Sequence, residues 1–99
     1  FSFSDLIKIG QHAWAIWSAL SSDQALKDAI NAFLGDFGIA PVLLREHIMQ
    51  RTEGAVEINY FTILADVYAI VSAFRTYGAL SPQVAAAVAK LLADLGWAI

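Results

Sequence analysis

The chain has 99 residues, 59% of them hydrophobic and 15% charged, with a formal net charge of −3, against a usual ~45–50% apolar and ~25% charged. That length builds one domain, residues 1–99, and not two. Lys and Arg are scattered singly and cysteine is absent, which argues against nucleic acid as a partner, against adsorption to anionic lipid by charge, and against disulfides or thiolate metal sites.

So much apolar material in so small a chain leaves apolar surface exposed, and such surface marks a partner, an oligomer interface or a membrane. Sustained alternation and hairpin-turn dipeptides are missing, while Gly and Pro fall between segments of helical period. The fold class this predicts is all-α: a compact bundle of four to five short helices with a hydrophobic helical hairpin at its C-terminal end.

The chain opens at Phe1, with no methionine and no basic n-region, and reads as a processed, secreted product or as a domain cut from a longer chain. The first helix spans about residues 4–20, capped by Ser2 with Asp5 or by Ser4. Phe3, Leu6, Ile7, Gly10, Ala13, Trp14, Trp17 and Leu20 form one broad apolar face. Trp14 and Trp17 are assigned to the core, where aromatics supply large buried area. Asp5, Lys8, Gln11, His12 and Ser18 lie on the other side.

A second helix covers residues 23–37, with Ser21 and Gln24 spaced as a capping box. Leu26, Ala29, Ile30, Phe33, Leu34 and Phe37 make its buried stripe, and Gly38 suits a left-handed C-terminal cap. Pro41 opens a short third helix over residues 42–51, which carries Arg45, Glu46, His47 and Arg51 and ends near Gly54.

The fourth helix, about residues 57–76, contains INYFTILADVYAIVSAF and ends at Gly78. Ser81 then caps a fifth, with Pro82 as its first residue, running to about residue 95. Asn59, Thr62 and Asp66 form a narrow polar stripe on the fourth helix. Gln83, Ala87, Lys90 and Asp94 form one on the fifth, where Lys90 and Asp94 pair across one turn. The apolar remainder of the two helices makes the hairpin. The residues assigned to membrane insertion or an interface are Ile58, Phe61, Leu64, Val67, Ile70, Val71, Phe74, Val84, Val88, Leu91, Leu92, Leu95 and Trp97. Residues 58–74 rise ~25 Å as a helix, short of a ~30 Å hydrocarbon core. Trp97 and Tyr77 suit the membrane–water boundary, with burial of Trp97 in the core as the equal alternative. Asp66 has two readings. It is exposed or paired with a cation, or it is buried and protonatable, a pH-sensitive acid that favours insertion in acid.

Nothing points to catalysis or to a cofactor. The serines have no base in a nucleophilic arrangement, there is no glycine-rich phosphate loop, and Glu53 and Glu57 read as solvated. The two histidines, His12 and His47, fit no metal-ligand spacing.

The opening FSFSDLIKIGQHAWAIW resembles the first helix of fungal HeLo-like domains, whose N-termini read Phe-x-Phe-Ser before an apolar helix. This covers about a fifth of the chain. In kind, with Phe1 in place of methionine and the segment 82–99, the chain is similar to small secreted yeast killer toxins of the zygocin type. Those are processed, membrane-permeabilising proteins with an amphipathic C-terminal helix. Both resemblances imply membrane damage, and neither transfers a functional residue.

The expectation is a non-enzymatic, membrane-active, pore-forming toxin without cofactor, whose hairpin inserts into lipid and whose copies form a homo-oligomer. The alternative is a helical interaction module that is an obligate homo-oligomer. A third is a carrier of lipid or another apolar ligand.

Overall fold

The computed structural model describes residues 2–39 and 58–97. Among the described residues are four helices: α1 (Phe3–Ser18), α2 (Asp23–Asp36), α3 (Tyr60–Tyr77) and α4 (Pro82–Asp94). The helix expected over residues 42–51, with His47, and the acids Glu53 and Glu57 lie outside the described residues.

Each helix starts on a short polar side chain that accepts an N–H of the first turn, one of the four that a helix leaves unpaired. Ser2 Oγ accepts from the Asp5 amide at 3.1 Å, and Ser81 Oγ from the Val84 amide at 3.2 Å, with Pro82 following as the first helical residue. The other two caps differ from the sequence expectation. Ser22, not Ser21, caps α2 by accepting from the Ala25 amide at 3.3 Å. Gln24 therefore closes no capping box and donates instead to Asp28 Oδ1 at 2.9 Å. Asn59, assigned to the polar stripe, is the cap of α3 and accepts from the Thr62 amide at 2.9 Å.

Two helix ends share one device. After α2, Gly38 (φ 78°) donates to the Gly35 carbonyl at 3.1 Å and Ile39 to the Leu34 carbonyl at 2.8 Å. After α4, Gly96 (φ 100°) donates to the Ala93 carbonyl and Trp97 to the Leu92 carbonyl, both at 3.0 Å. These are Schellman closures, which turn the residue after the glycine back over the helix end. Ile39 and Trp97 are accordingly buried. Of the two readings of Trp97, the structure takes the core.

The helices pack in the order α2–α1–α3–α4, so α1 and α3 each have a helix on both sides. One core joins all four. Ile9, Ala13 and Ile16 enter it from α1, and Leu26, Ile30, Phe33 and Leu34 from α2. Ile63, Val67, Ile70 and Val71 enter from α3, with Val84, Val88, Leu91 and Leu92 from α4. The described residues thus form an all-helical, compact bundle.

α1 is rotated relative to its sequence expectation. The buried side follows Ile9, Ala13 and Ile16, while Phe3, Leu6, Ile7 and Trp14 of the expected core face are exposed. Trp14 is 60% exposed, which corrects its assignment to the core; Trp17 packs partly buried against it. Apolar residues cover more than half of the circumference of α1, so helical periodicity leaves two faces to choose from. In the bundle, α2 and α3 flank α1, and the face of Ile9, Ala13 and Ile16 is the one buried.

Candidate functional site

Two features of the bundle are chemically out of the ordinary: a buried acid between α3 and α4, and an apolar face left open on α1.

Asp66 is the one charged residue among the buried described side chains, at 4% exposure. On α3 it follows Ile63 by three positions and precedes Ile70 by four, which places it on the inward side. The polar stripe of α3 therefore turns inward at Asp66 and meets α4. Lys90 Nζ donates to Asp66 Oδ1 at 3.1 Å and to Asp94 Oδ2 at 2.8 Å. One ammonium thus bridges two carboxylates on two helices. Asp66 Oδ2 is buried without a hydrogen-bond partner, an arrangement that costs a carboxylate its solvation.

The charges respond accordingly. Burial pushes the Asp66 carboxyl up to about 6, the Asp94 carboxylate pushes the same way, and Lys90 pulls against both. Asp94 lies below the usual carboxylate range, held there first by the neighbouring Asp66 carboxyl and then by Lys90, against its own burial. Lys90 is raised by its hydrogen bonds to Asp94 and Asp66. The pairing within α4 was legible from its i,i+4 spacing. The partnership of Asp66 with Lys90, 24 positions apart, was left open as an unnamed cation.

The open face on α1 holds Phe3 (77% exposed), Leu6, Ile7 and Trp14. At ~100° per residue these four fall within about 100° of the helix circumference. The face continues onto α3 through an aromatic row. The Trp14 and Tyr60 rings meet edge to face at 5.8 Å between centroids, and Tyr60 meets Phe61 in the same way at 5.8 Å. Tyr60 is fixed by its hydroxyl, which donates to the Gly10 carbonyl at 3.4 Å. Phe61, at the end of the row, is 75% exposed. A second apolar tip is the turn between α3 and α4, where Leu80 is 93% exposed beside the half-exposed Tyr77.

The remaining sequence-assigned residues separate by depth. Val67, Ile70, Val71, Val84, Val88, Leu91, Leu92, Leu95 and Trp97 are buried in the core, and Ile58, Leu64 and Phe74 pack partly buried against it. Phe61 alone of that set stands in solvent. Sequence reasoning missed Phe3, Leu6, Ile7 and Leu80 as surface residues. The signal for the first three was the excess width of the apolar face on α1.

His12 also departs from its expected outward place. Its Nε2 lies 2.7 Å from Asp36 Oδ2, between the rings of Phe33 (5.5 Å) and Phe37 (6.1 Å), and Lys8 Nζ lies 3.9 Å from Asp36 Oδ1. Asp36 closes α2, where the helix dipole disfavours an anion. The hydrogen bond from His12, and then Lys8, hold its carboxyl below the usual range. Across the other side, Arg75 Nη2 reaches Asp5 Oδ1 at 3.0 Å and ties α3 to α1. Among the described residues, no three His, Asp or Glu side chains converge as metal ligands would. No described helix is long and apolar enough to cross a membrane.

No family model, curated protein or solved structure matches the chain.

Proposed function

We propose that the protein is membrane-active: it meets lipid through the open face of α1 and Phe61, and the α3–α4 hairpin follows into the bilayer. The observation that carries this reading is the set of large apolar side chains standing in water on one side of the molecule. Phe3, Leu6, Ile7, Trp14 and Phe61 are each 46% exposed or more. A surface of this kind gains free energy in an apolar medium, at roughly 25 cal/mol for each Å² removed from water. Trp and Tyr suit the boundary layer between hydrocarbon and water, and Trp14 and Tyr60 lie side by side in it.

The hairpin supplies the second stage. Its inner residues, from Ile63 to Leu95, serve as core in water, and the same residues serve as lipid-facing surface once the bundle opens. α3 has 18 residues and α4 has 13, lengths of ~27 and ~20 Å. Embedding in one leaflet, with several copies assembling around the inward polar groups, fits those lengths better than a full crossing of ~30 Å. No catalytic step and no cofactor enter this reading.

Quenching of tryptophan emission by brominated phosphatidylcholine vesicles tests it. Contact through the α1 face predicts quenching that Trp14→Phe reduces, and entry of the hairpin predicts a second component from Trp97, which is buried in the bundle in water. Absence of quenching at neutral and acid pH would reject the proposal.

The same open face favours a second reading, a homo-oligomer whose copies cover it. Light scattering on the eluting protein separates the two: a strict monomer at high dilution counts against the oligomer.

A further inference from the structure

We propose that Asp66, Lys90 and Asp94 form a proton-operated latch at the seam of α3 and α4, which opposes transfer of the hairpin into lipid when Asp66 is charged and permits it when Asp66 is neutral. The inference rests on the membrane reading above for its destination, but the latch itself is a property of the bundle in solution.

The geometry carries it. Asp66 sits on the inward side of α3 with one oxygen bound to Lys90 Nζ at 3.1 Å and the other buried and unpartnered. Lys90 is shared with Asp94 at 2.8 Å, so the cluster of three groups holds two negative charges and one positive. A single proton on Asp66 makes the cluster neutral: Lys90 stays paired with Asp94 in an i,i+4 bridge, and Asp66 becomes a neutral acid. Taking a neutral carboxyl out of water costs far less than taking a carboxylate. The proton therefore lowers the cost of moving the hairpin into hydrocarbon, and it acts at the point where the hairpin holds its buried charge.

Among the described residues, the charged groups that act on Asp66 lie on α4. Lys90 and Asp94 are the charged side chains that shift it. On α1, which packs against the other side of α3, Asp5 is bound to Arg75 and both Lys8 and His12 to Asp36. Among the described residues the latch has no competing charge from that side. Burial and Asp94 place the Asp66 transition at about 6, and Lys90 sets how far below a fully desolvated acid it lies. Proton and cation thus compete for one oxygen pair, and the competition sets the cost of carrying α3 and α4 from the bundle into lipid.

The test uses the wild type, Asp66→Asn and Lys90→Gln, with folding checked by circular dichroism. Binding to vesicles of zwitterionic phosphatidylcholine is followed across pH by co-sedimentation; uncharged lipid removes the general effect of a net-negative protein losing charge. The wild type is expected to bind increasingly as pH falls through about 6. Asp66→Asn binds at neutral pH as the wild type does in acid, with a flat profile. Lys90→Gln, which removes the cation that opposes protonation, moves the rise to higher pH. An Asp66→Asn protein that keeps the wild-type midpoint overturns the latch, as does a Lys90→Gln protein whose midpoint does not move. If Asp66→Asn does not fold, the direction of the Lys90→Gln shift decides. Lipid-free melting across the same pH range keeps the latch distinct from the membrane reading. If no protein binds vesicles at any pH, the membrane reading falls. The latch then stands if wild-type melting rises as pH falls through this window and Asp66→Asn melting does not, and falls if the two curves run parallel or the wild type melts lower in acid.

Discussion

At Asp66 the cost of a buried charge sets the pH response of the fold. Its carboxyl titrates near 6 in the bundle, against 3.8 for an unperturbed aspartate. The folded state therefore holds the proton more tightly than the unfolded chain. Its stabilising contribution is complete below the unfolded value and is lost as pH rises through about 6. Asp66→Asn is expected to raise stability at neutral pH by on the order of 1–3 kcal/mol and to change it little in mild acid; urea unfolding at the two pH values measures this. Acid thus tightens the seam against unfolding, and under the proposed latch the same proton eases transfer to lipid, because each step favours the neutral form. Gly10 offers a second prediction. It lies inside α1 with open space where a Cβ would stand, so Gly10→Ala is expected to stabilise by about 0.5–1 kcal/mol in a thermal melt. At this scale the sequence marked Asp66 by its apolar flanks. Burial and pairing were posed there as alternatives, yet both hold. A lysine on the facing helix reaches the carboxylate from outside, a relation that only tertiary packing creates.

Helix ends were more legible than helix faces. Ser2, Gly38, Gly78, Ser81 and Pro82 act where local chemistry placed them, since caps depend on neighbours three or four positions away. The choice between Ser21 and Ser22 was one residue off, because either hydroxyl precedes the same apolar period. Ser22→Ala is expected to cost about 1 kcal/mol and Ser21→Ala close to none, a contrast that melting temperatures resolve. Gly78 ends α3 at φ 92° and ψ 164°, a region open almost solely to glycine. Gly78→Ala is expected to cost about 1–3 kcal/mol although nothing crowds the site. The face of α1 was not legible in this way. Its two apolar faces are equivalent in period; Ile9, Ala13 and Ile16 take the interior while Phe3, Leu6, Ile7 and Trp14 remain outside.

For the whole molecule, the excess of apolar residues announced exposed surface, and the bundle assigns it a place. The inward residues of α3 and α4 that read as candidates for lipid are core in water, and among the described residues the open surface is at α1, at Phe61 and at the turn with Tyr77 and Leu80. Core and surface therefore respond in opposite ways to substitution. Leu91→Ala, at a fully buried position, is expected to cost about 2–5 kcal/mol of stability. Trp14→Ser with Phe61→Ser is expected to leave melting nearly unchanged, because surface substitutions are usually within about 0.5 kcal/mol. The central claim is that this open face delivers the protein to membranes, and release of an entrapped dye from lipid vesicles tests it most directly. The account predicts release by the wild type, stronger in mild acid than at neutral pH, and loss of release in the folded Trp14→Ser, Phe61→Ser protein. No release by the wild type at either pH, or equal release by the double variant, would contradict it.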